Sequence, residues 1–170
     1  MVIKHRRRLS SRDLEDRTQR IITCMSASII CSGALFYTLN TNRFLFLHRS
    51  NGKKSDVWGL VGGTNEAKET PWEGLKREII EEIGELPPLK KTLPLESFLS
   101  NDKKFLFHTY LCIVEEEFIP QLNKEHDGFA WCSFTKWPKP LHHGLRNTLQ
   151  SKINLTKLET VFQTINLLDK

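Results

Sequence analysis

Residues 70–85, Thr-Pro-Trp-Glu-Gly-Leu-Lys-Arg-Glu-Ile-Ile-Glu-Glu-Ile-Gly-Glu, constrain the fold more tightly than any other stretch of the chain. Thr70 is an N-cap, Pro71 takes the first helical position, and Glu73 completes a capping box. Gly84 stops the helix, and Pro87-Pro88 prevents its resumption. At about 100° per residue, Trp72, Leu75, Ile79 and Ile83 share one narrow face, which must be the core side. Glu78, Glu81 and Glu82 fall on an adjoining face, with Glu85 beside them. Like charges at i, i+3 and i+4 destabilise a helix by a few tenths of a kcal/mol per pair. A cation that neutralised them would remove that cost, and hard divalent ions favour oxygen ligands of this kind. On the carboxylates alone, however, a solvated acidic surface is the commoner explanation of the pattern.

The rest of the chain supplies the context. At 170 residues it is long enough for one compact domain with a full core. Its 39 % apolar and 26 % charged residues exclude a disordered or fibrous chain. The net charge of +5 is unevenly placed. Residues 1–24 carry Lys4, Arg6, Arg7, Arg8, Arg12, Arg17 and Arg20 against Asp13, Glu15 and Asp16, so nearly all the excess lies there. They read as a basic, flexible arm, with a domain over 25–170. An arm of this charge could track nucleic-acid phosphates, but it says little about the body. Cys24, Cys31, Cys112 and Cys132 form no C-x-x-C pair, which points to reduced thiols in a cytoplasmic protein rather than to a zinc or disulfide framework. Residues 21–39 run for 19 positions without a charge. Five Ser or Thr residues and the hairpin signal that follows favour a buried first strand over a membrane span.

Strand patterns cover Ile29–Leu39 and Arg43–His48, separated by Asn40-Thr41-Asn42 as in a hairpin. Asn51-Gly52 marks a turn, and Trp58-Gly59-Leu60-Val61 a short strand ending at Gly62-Gly63. Further strands are expected near Leu95–Leu99, Lys104–Val114 and Gly128–Phe134. Helices are expected at His143–Lys152 and Leu158–Leu168, the second opened by a Thr156/Glu159 capping box. Elements of both kinds mix without strict βαβ alternation.

Gly63, five residues, Glu69, seven residues, then Arg77-Glu78-Ile79-Ile80-Glu81-Glu82-Ile83-Gly84 resembles the Nudix signature, G-x5-E-x7-R-E-U-x-E-E-x-G-U with U apolar. The final apolar position is Glu85, which puts helix-end packing in question; Leu86 is the candidate substitute. The resemblance implies an α/β/α sandwich around a mixed sheet. It also implies that Glu78, Glu81, Glu82 and the Gly62 carbonyl bind Mg²⁺, or Mn²⁺ in its place. Gly63, Glu69, Arg77 and Gly84 would support the site, the Glu69–Arg77 pair holding loop against helix.

The family usually adds a carboxylate from beyond the signature, and Glu125, before the Trp131 strand, matches that place. Glu115, Glu116 and Glu117 are its rivals, and Asp127 reads as a turn residue. His126, His142 and His143 are candidate phosphate contacts. The implied reaction is attack of an activated water on a P–O–P linkage, with Glu78, Glu82 and Glu125 as the catalytic carboxylates and Glu82 or Glu125 taking the proton. Trp58, Phe107 and Trp131 are candidates for stacking on a purine, although strand aromatics are more often core. The substrate expected is an ADP-ribose-like compound or a dinucleoside polyphosphate. A nucleoside triphosphate or RNA 5′ end, or a non-catalytic nucleotide-binding regulator, stands as the alternative.

Overall fold

The computed structural model describes residues 27–50 and 56–168. The basic arm and the Asn51-Gly52 turn lie outside the described residues. Seven strands form one sheet: β1 (Ile29–Thr38), β2 (Arg43–Arg49), β3 (Val57–Gly59), β4 (Val61–Thr64), β5 (Leu89–Leu99), β6 (Phe105–Val114) and β7 (His126–Ser133). The main path is β3-β2-β1-β6-β5, with β4 also paired to β1 and β7 to β2. β1 and β6 run parallel over ten residue pairs, from Ile29↔Phe105 to Thr38↔Val114, whereas the other pairings are antiparallel. The sheet is therefore mixed, as the family resemblance implied.

β1 is central because it is apolar on both sides. Ala34 and Phe36 face one layer and Leu35 and Tyr37 the other, all buried; a strand covered on both faces needs such a continuous run. The β1–β2 hairpin closes where expected. Asn42 takes positive φ (54°), its N–H donates to the Thr38 carbonyl, and its side chain accepts from the Tyr37 hydroxyl at 2.5 Å. Asn tolerates that conformation at low cost.

Helix α1 (Pro71–Ile83) has both halves of the capping box, Glu73 N–H to Thr70 Oγ1 and Thr70 N–H to the Glu73 carboxylate. Leu75, Ile79 and Ile83 are buried against Ala34, Phe36, Val61, Cys112 and Val114, with Trp72 packed at the margin. Truncating such a side chain costs about 2–5 kcal/mol. The helix ends at Gly84, φ 89°, whose N–H returns to the Ile80 carbonyl. Leu86 does not supply the missing apolar contact, for it is exposed. The Gln121 N–H bonded to the Ile83 carbonyl holds the end instead, with Gln121 Cβ close against Gly84.

The opposite face carries α2 (His143–Gln150) and α3 (Lys152–Leu168). Leu145, Leu149 and Leu158 pack there on Leu35, Phe44, Phe46, Leu95, Leu111 and Ile113. Three sequence expectations need correction in this half. Thr156 and Glu159 form no capping box; they lie inside α3, where Thr156 contributes its carbonyl to Thr160 Oγ1. The helix begins at Lys152, because the break falls at Ser151, in extended backbone. Trp58–Val61 is not one strand, since pairing passes from β2 to β1 at Leu60. β5 starts at Leu89, earlier than its apolar pattern suggested, because irregularities between Leu89/Lys91 and Pro94/Glu96 break its alternation. No helix among the described residues is long and apolar enough to cross a membrane.

Candidate active site

The junction between β4 and α1 gathers the carboxylates. Gly62 has φ 141°, and a Cβ there would strike the Ser32 carbonyl, so only glycine lets β4 close on β1 at this point. Its N–H donates to Glu82 Oε2 at 2.7 Å. At Gly63 an added Cβ would stand 2.6–2.8 Å from the Glu78 carboxylate, so that side chain fills the space glycine leaves. The loop from Thr64 to Thr70 is tied to the helix by Arg77. Its Nε and Nη2 donate to both oxygens of Glu69 at 2.9 and 3.1 Å, and Nη2 also reaches the Thr64 carbonyl at 2.9 Å. Nη1 donates to Glu78 at 3.0 Å and to Glu81 at 3.2 Å. Arg77 thus joins Glu69 and the loop to the helix, with Gly63 before that loop and Gly84 at the far end of the helix.

The electrostatics single out Glu82. It is 4 % exposed, and burial pushes its carboxyl up to about 8 against the downward pull of the Gly62 N–H. The charges of Glu78 and Glu125 add to the rise. Burial also raises Glu78, opposed by Arg77. Glu125 therefore belongs to the same electrostatic cluster, although its carboxylate is held by Arg49 Nη2 at 2.5 Å. His126 is buried beside it, its Nε2 3.8 Å from Glu82 Oε1 and its Nδ1 3.1 Å from Asn123 Oδ1. Burial lowers the His126 imidazole, favouring the neutral ring.

The remaining candidates disperse. Glu117 pairs with Arg43 at 2.7 Å and Glu115 with Lys90 at 2.7 Å, so both serve the hairpin end of the sheet. Asp127 is not a turn residue: it lies in β7 and bonds His48 Nδ1 at 2.6 Å. His142 and His143 lie ring against ring at a 43° tilt at the start of α2, and the His142 N–H bonds the Trp58 carbonyl. Trp131 is packed against the core on the α1 side, edge-on to Phe118, with its indole N–H on the Phe118 carbonyl at 3.0 Å. Trp58 packs with the opposite core cluster beside His48. Phe107 lies over Gly33 on that same opposite face. A cavity of about 350 Å³ between β5 and α3 is lined mainly by apolar residues such as Leu93, Leu95, Leu111, Leu158 and Val161, and by none of the candidate carboxylates.

Three contributors had escaped the sequence reading. Asn65 accepts from Ser32 Oγ and donates to the Thr70 carbonyl, both at 3.0 Å. Gly74 makes room for Asn65 and Glu69, whose side-chain atoms would lie 2.5–2.8 Å from a Cβ there. Arg49 brings a guanidinium to Glu125. Its only sequence signal is a basic residue ending a strand, which is too common to interpret.

A sandwich of this topology, with a glycine-bounded loop feeding an acidic helix, has been matched to known proteins. A family model described as the NUDIX domain matches residues 31–151. Dihydroneopterin triphosphate diphosphatase of Haemophilus influenzae is 35 % identical over 117 residues, 60 % of this chain and 72 % of that protein. RNA pyrophosphohydrolase of Zymomonas mobilis is 31 % identical over 87 residues, 51 % of this chain and 52 % of that protein. Among solved structures, a Nudix hydrolase from M. smegmatis superposes with TM-score 0.63 at 21 % identity, covering 82 % of this chain and 88 % of that one. The chain belongs to the Nudix family and is an enzyme of its pyrophosphohydrolase class.

Proposed function

We propose that the enzyme uses a divalent cation, Mg²⁺ by choice and Mn²⁺ as a substitute, to hydrolyse a phosphoanhydride in a nucleotide-like triphosphate, releasing pyrophosphate. The observation that carries this reading is the burial of Glu82 within a like-charged group that includes Glu78 and Glu125, its Oε2 held by the Gly62 N–H. Ionising such a group is costly unless a cation joins it. The donors are carboxylate and carbonyl oxygens, the set that Mg²⁺ prefers. Among the described residues no three of these side chains converge into a ready-made cage; Arg77 holds Glu78 and Glu81, and Arg49 holds Glu125. Glu78, Glu81, Glu82, Glu125 and the Gly62 carbonyl are the groups that would hold the ion.

When bound, such an ion neutralises the phosphate oxygens and makes a bound water more acidic. The chain itself does the rest. Glu82 or Glu125 accepts the proton of the attacking water, as groups within reach of it must. Arg77 keeps the Gly62-Gly63 loop against α1 through Glu69, and Arg49, beside Glu125, offers the phosphates a positive charge. A triphosphate is favoured over the ADP-ribose-like or dinucleoside substrate expected from sequence. Two relatives above 30 % identity bear names of that chemistry, a triphosphate diphosphatase and an RNA pyrophosphohydrolase. A cytoplasmic setting completes the reading, resting on the thiols of Cys112 and Cys132, which form no disulfide among the described residues.

The test is a substrate panel of nucleoside triphosphates, dihydroneopterin triphosphate, triphosphate-ended RNA, ADP-ribose and dinucleoside polyphosphates, with product identification. Pyrophosphate release from a triphosphate that requires Mg²⁺ supports the reading; cleavage of ADP-ribose alone, or ion-independent cleavage, sinks it.

A further inference from the structure

The carboxylate cluster sits at one end of a row of residues that continues across the sheet. Gly62 on β4 pairs with Gly33 on β1, Gly33 with Thr109 on β6, and Thr109 with Glu96 on β5. Directly opposed residues share a sheet face, as do residues two apart on a strand. Glu96 and Phe98 therefore stand on the face of Thr109 and Phe107, the face that α2 and α3 cover. Thr148 of α2 confirms the side, its Oγ1 donating to Glu96 Oε2 at 2.6 Å.

Two features make this row fit a flat ring. Its floor is aromatic and partly open. A Cβ on Gly33 would meet Phe107 Cζ at 2.8 Å and Leu60 Cδ1 at 3.2 Å, so the Phe107 ring lies where a side chain would otherwise stand. Beyond it Phe98 is 54 % and Ile29 48 % exposed, an uncovered margin on the same face. At the far end of the row stands Glu96, partly buried, with Thr148 as its recorded hydrogen-bond partner among the described residues. Its Oε1 keeps its accepting capacity, and a carboxylate has nothing to donate. Strands about 4.8 Å apart put Glu96 roughly 14 Å from Gly62 along the row. That is the length of an extended nucleoside monophosphate plus the reach of a glutamate side chain.

We propose that Glu96 determines specificity by accepting hydrogen bonds from a 2-amino-4-oxopyrimidine edge, the edge shared by guanine and pterin rings, while the ring rests on Phe107. This rests on the pyrophosphohydrolase reading above. The ring N–H and the exocyclic amine of such an edge meet two acceptor oxygens. Adenine instead turns a ring-nitrogen lone pair toward the carboxylate and is rejected. A matched bidentate pair discriminates by about 10- to 100-fold. Glutamine, with one acceptor and one donor, suits the adenine edge instead.

The experiment compares kcat/KM for GTP, 7,8-dihydroneopterin triphosphate and ATP in wild type, Glu96→Gln and Thr148→Val, and in parallel measures GMP and AMP binding by calorimetry. Wild type should prefer GTP or the pterin substrate over ATP by about 10- to 100-fold; the faster of the two identifies the ring. Glu96→Gln should bring the GTP:ATP ratio to one or below, mainly through KM, and Thr148→Val should lower it partway. An ATP preference in wild type, or a ratio that Glu96→Gln leaves unchanged, overturns the proposal. If no triphosphate is cleaved, the pyrophosphohydrolase reading fails and calorimetry decides alone: GMP favoured over AMP and equalised by Glu96→Gln supports the role of Glu96, and equal wild-type binding overturns it.

Discussion

Glu82 reaches back across the β4–α1 junction to accept the Gly62 N–H at 2.7 Å, so the helix and the loop before it are joined through the most buried carboxylate of the site. Glu82→Gln keeps an accepting oxygen for that N–H and removes the charge. The fold should therefore survive, with a thermal midpoint equal to or above that of wild type. Turnover should fall by about 10²- to 10⁴-fold, the range for loss of a proton-transfer group. Steady-state rates beside thermal melts check both halves; an unaltered rate would remove Glu82 from the chemistry.

Gly62 carries a backbone requirement. With φ 141° and the Ser32 carbonyl in the way, Gly62→Ala forces the loop to shift. The expected loss is about 1–3 kcal/mol of stability, read by denaturant unfolding, and activity should drop with it. Gly59→Ala is the control, since a Cβ there meets nothing within 4 Å.

Arg77 joins Glu69, Thr64, Glu78 and Glu81 through one planar guanidinium. Lysine keeps the charge but not the fork. Arg77→Lys should cost about 1–3 kcal/mol in stability and reduce activity without abolishing it. Arg77→Lys in a Glu69→Gln background should cost less than the two separate losses added, because the residues share one contact.

His108 sets an acid limit. Burial lowers its imidazole below the ordinary value of 6.5, and its Nε2 is buried without a partner while Nδ1 meets Ser97 Oγ at 2.9 Å. A group whose folded value is depressed contributes stability that is present above the unfolded value and lost as pH falls below it. Below about pH 6.5 the thermal midpoint of wild type should therefore fall relative to that of His108→Gln, while the raised Glu82 carboxyl, which favours the folded state as pH falls from 8, acts equally on both proteins. His126 shifts in the same direction, so some acid sensitivity remains in the variant. Melts from pH 8 to 5 that overlay for both proteins would contradict the assignment.

What was legible in the sequence was local. Helix α1 could be placed to the residue because its cap, core face and stop all lie within one segment. The β1–β2 hairpin was equally plain. Features made by distant partners were not. Asn65 matters through Ser32, Gly74 through Asn65 and Glu69, and Arg49 through Glu125. β5 was hidden by its irregular pairing and Pro94, and α3 by a Thr-x-x-Glu pattern that mimics a cap inside a continuous helix. Glu125 was chosen by resemblance. The structure places it within the field of Glu78 and Glu82 but on an Arg49 ion pair that no spacing foretold.

The most direct measurement is ³¹P NMR of GTP incubated with the enzyme, with Mg²⁺, with chelator, and with Glu82→Gln in place of wild type. Pyrophosphate and GMP should form with Mg²⁺ and wild-type enzyme, and not when either the ion or the Glu82 carboxylate is removed. Cleavage that persists in chelator, or that Glu82→Gln performs at the wild-type rate, would contradict a cation-dependent centre built on Glu82.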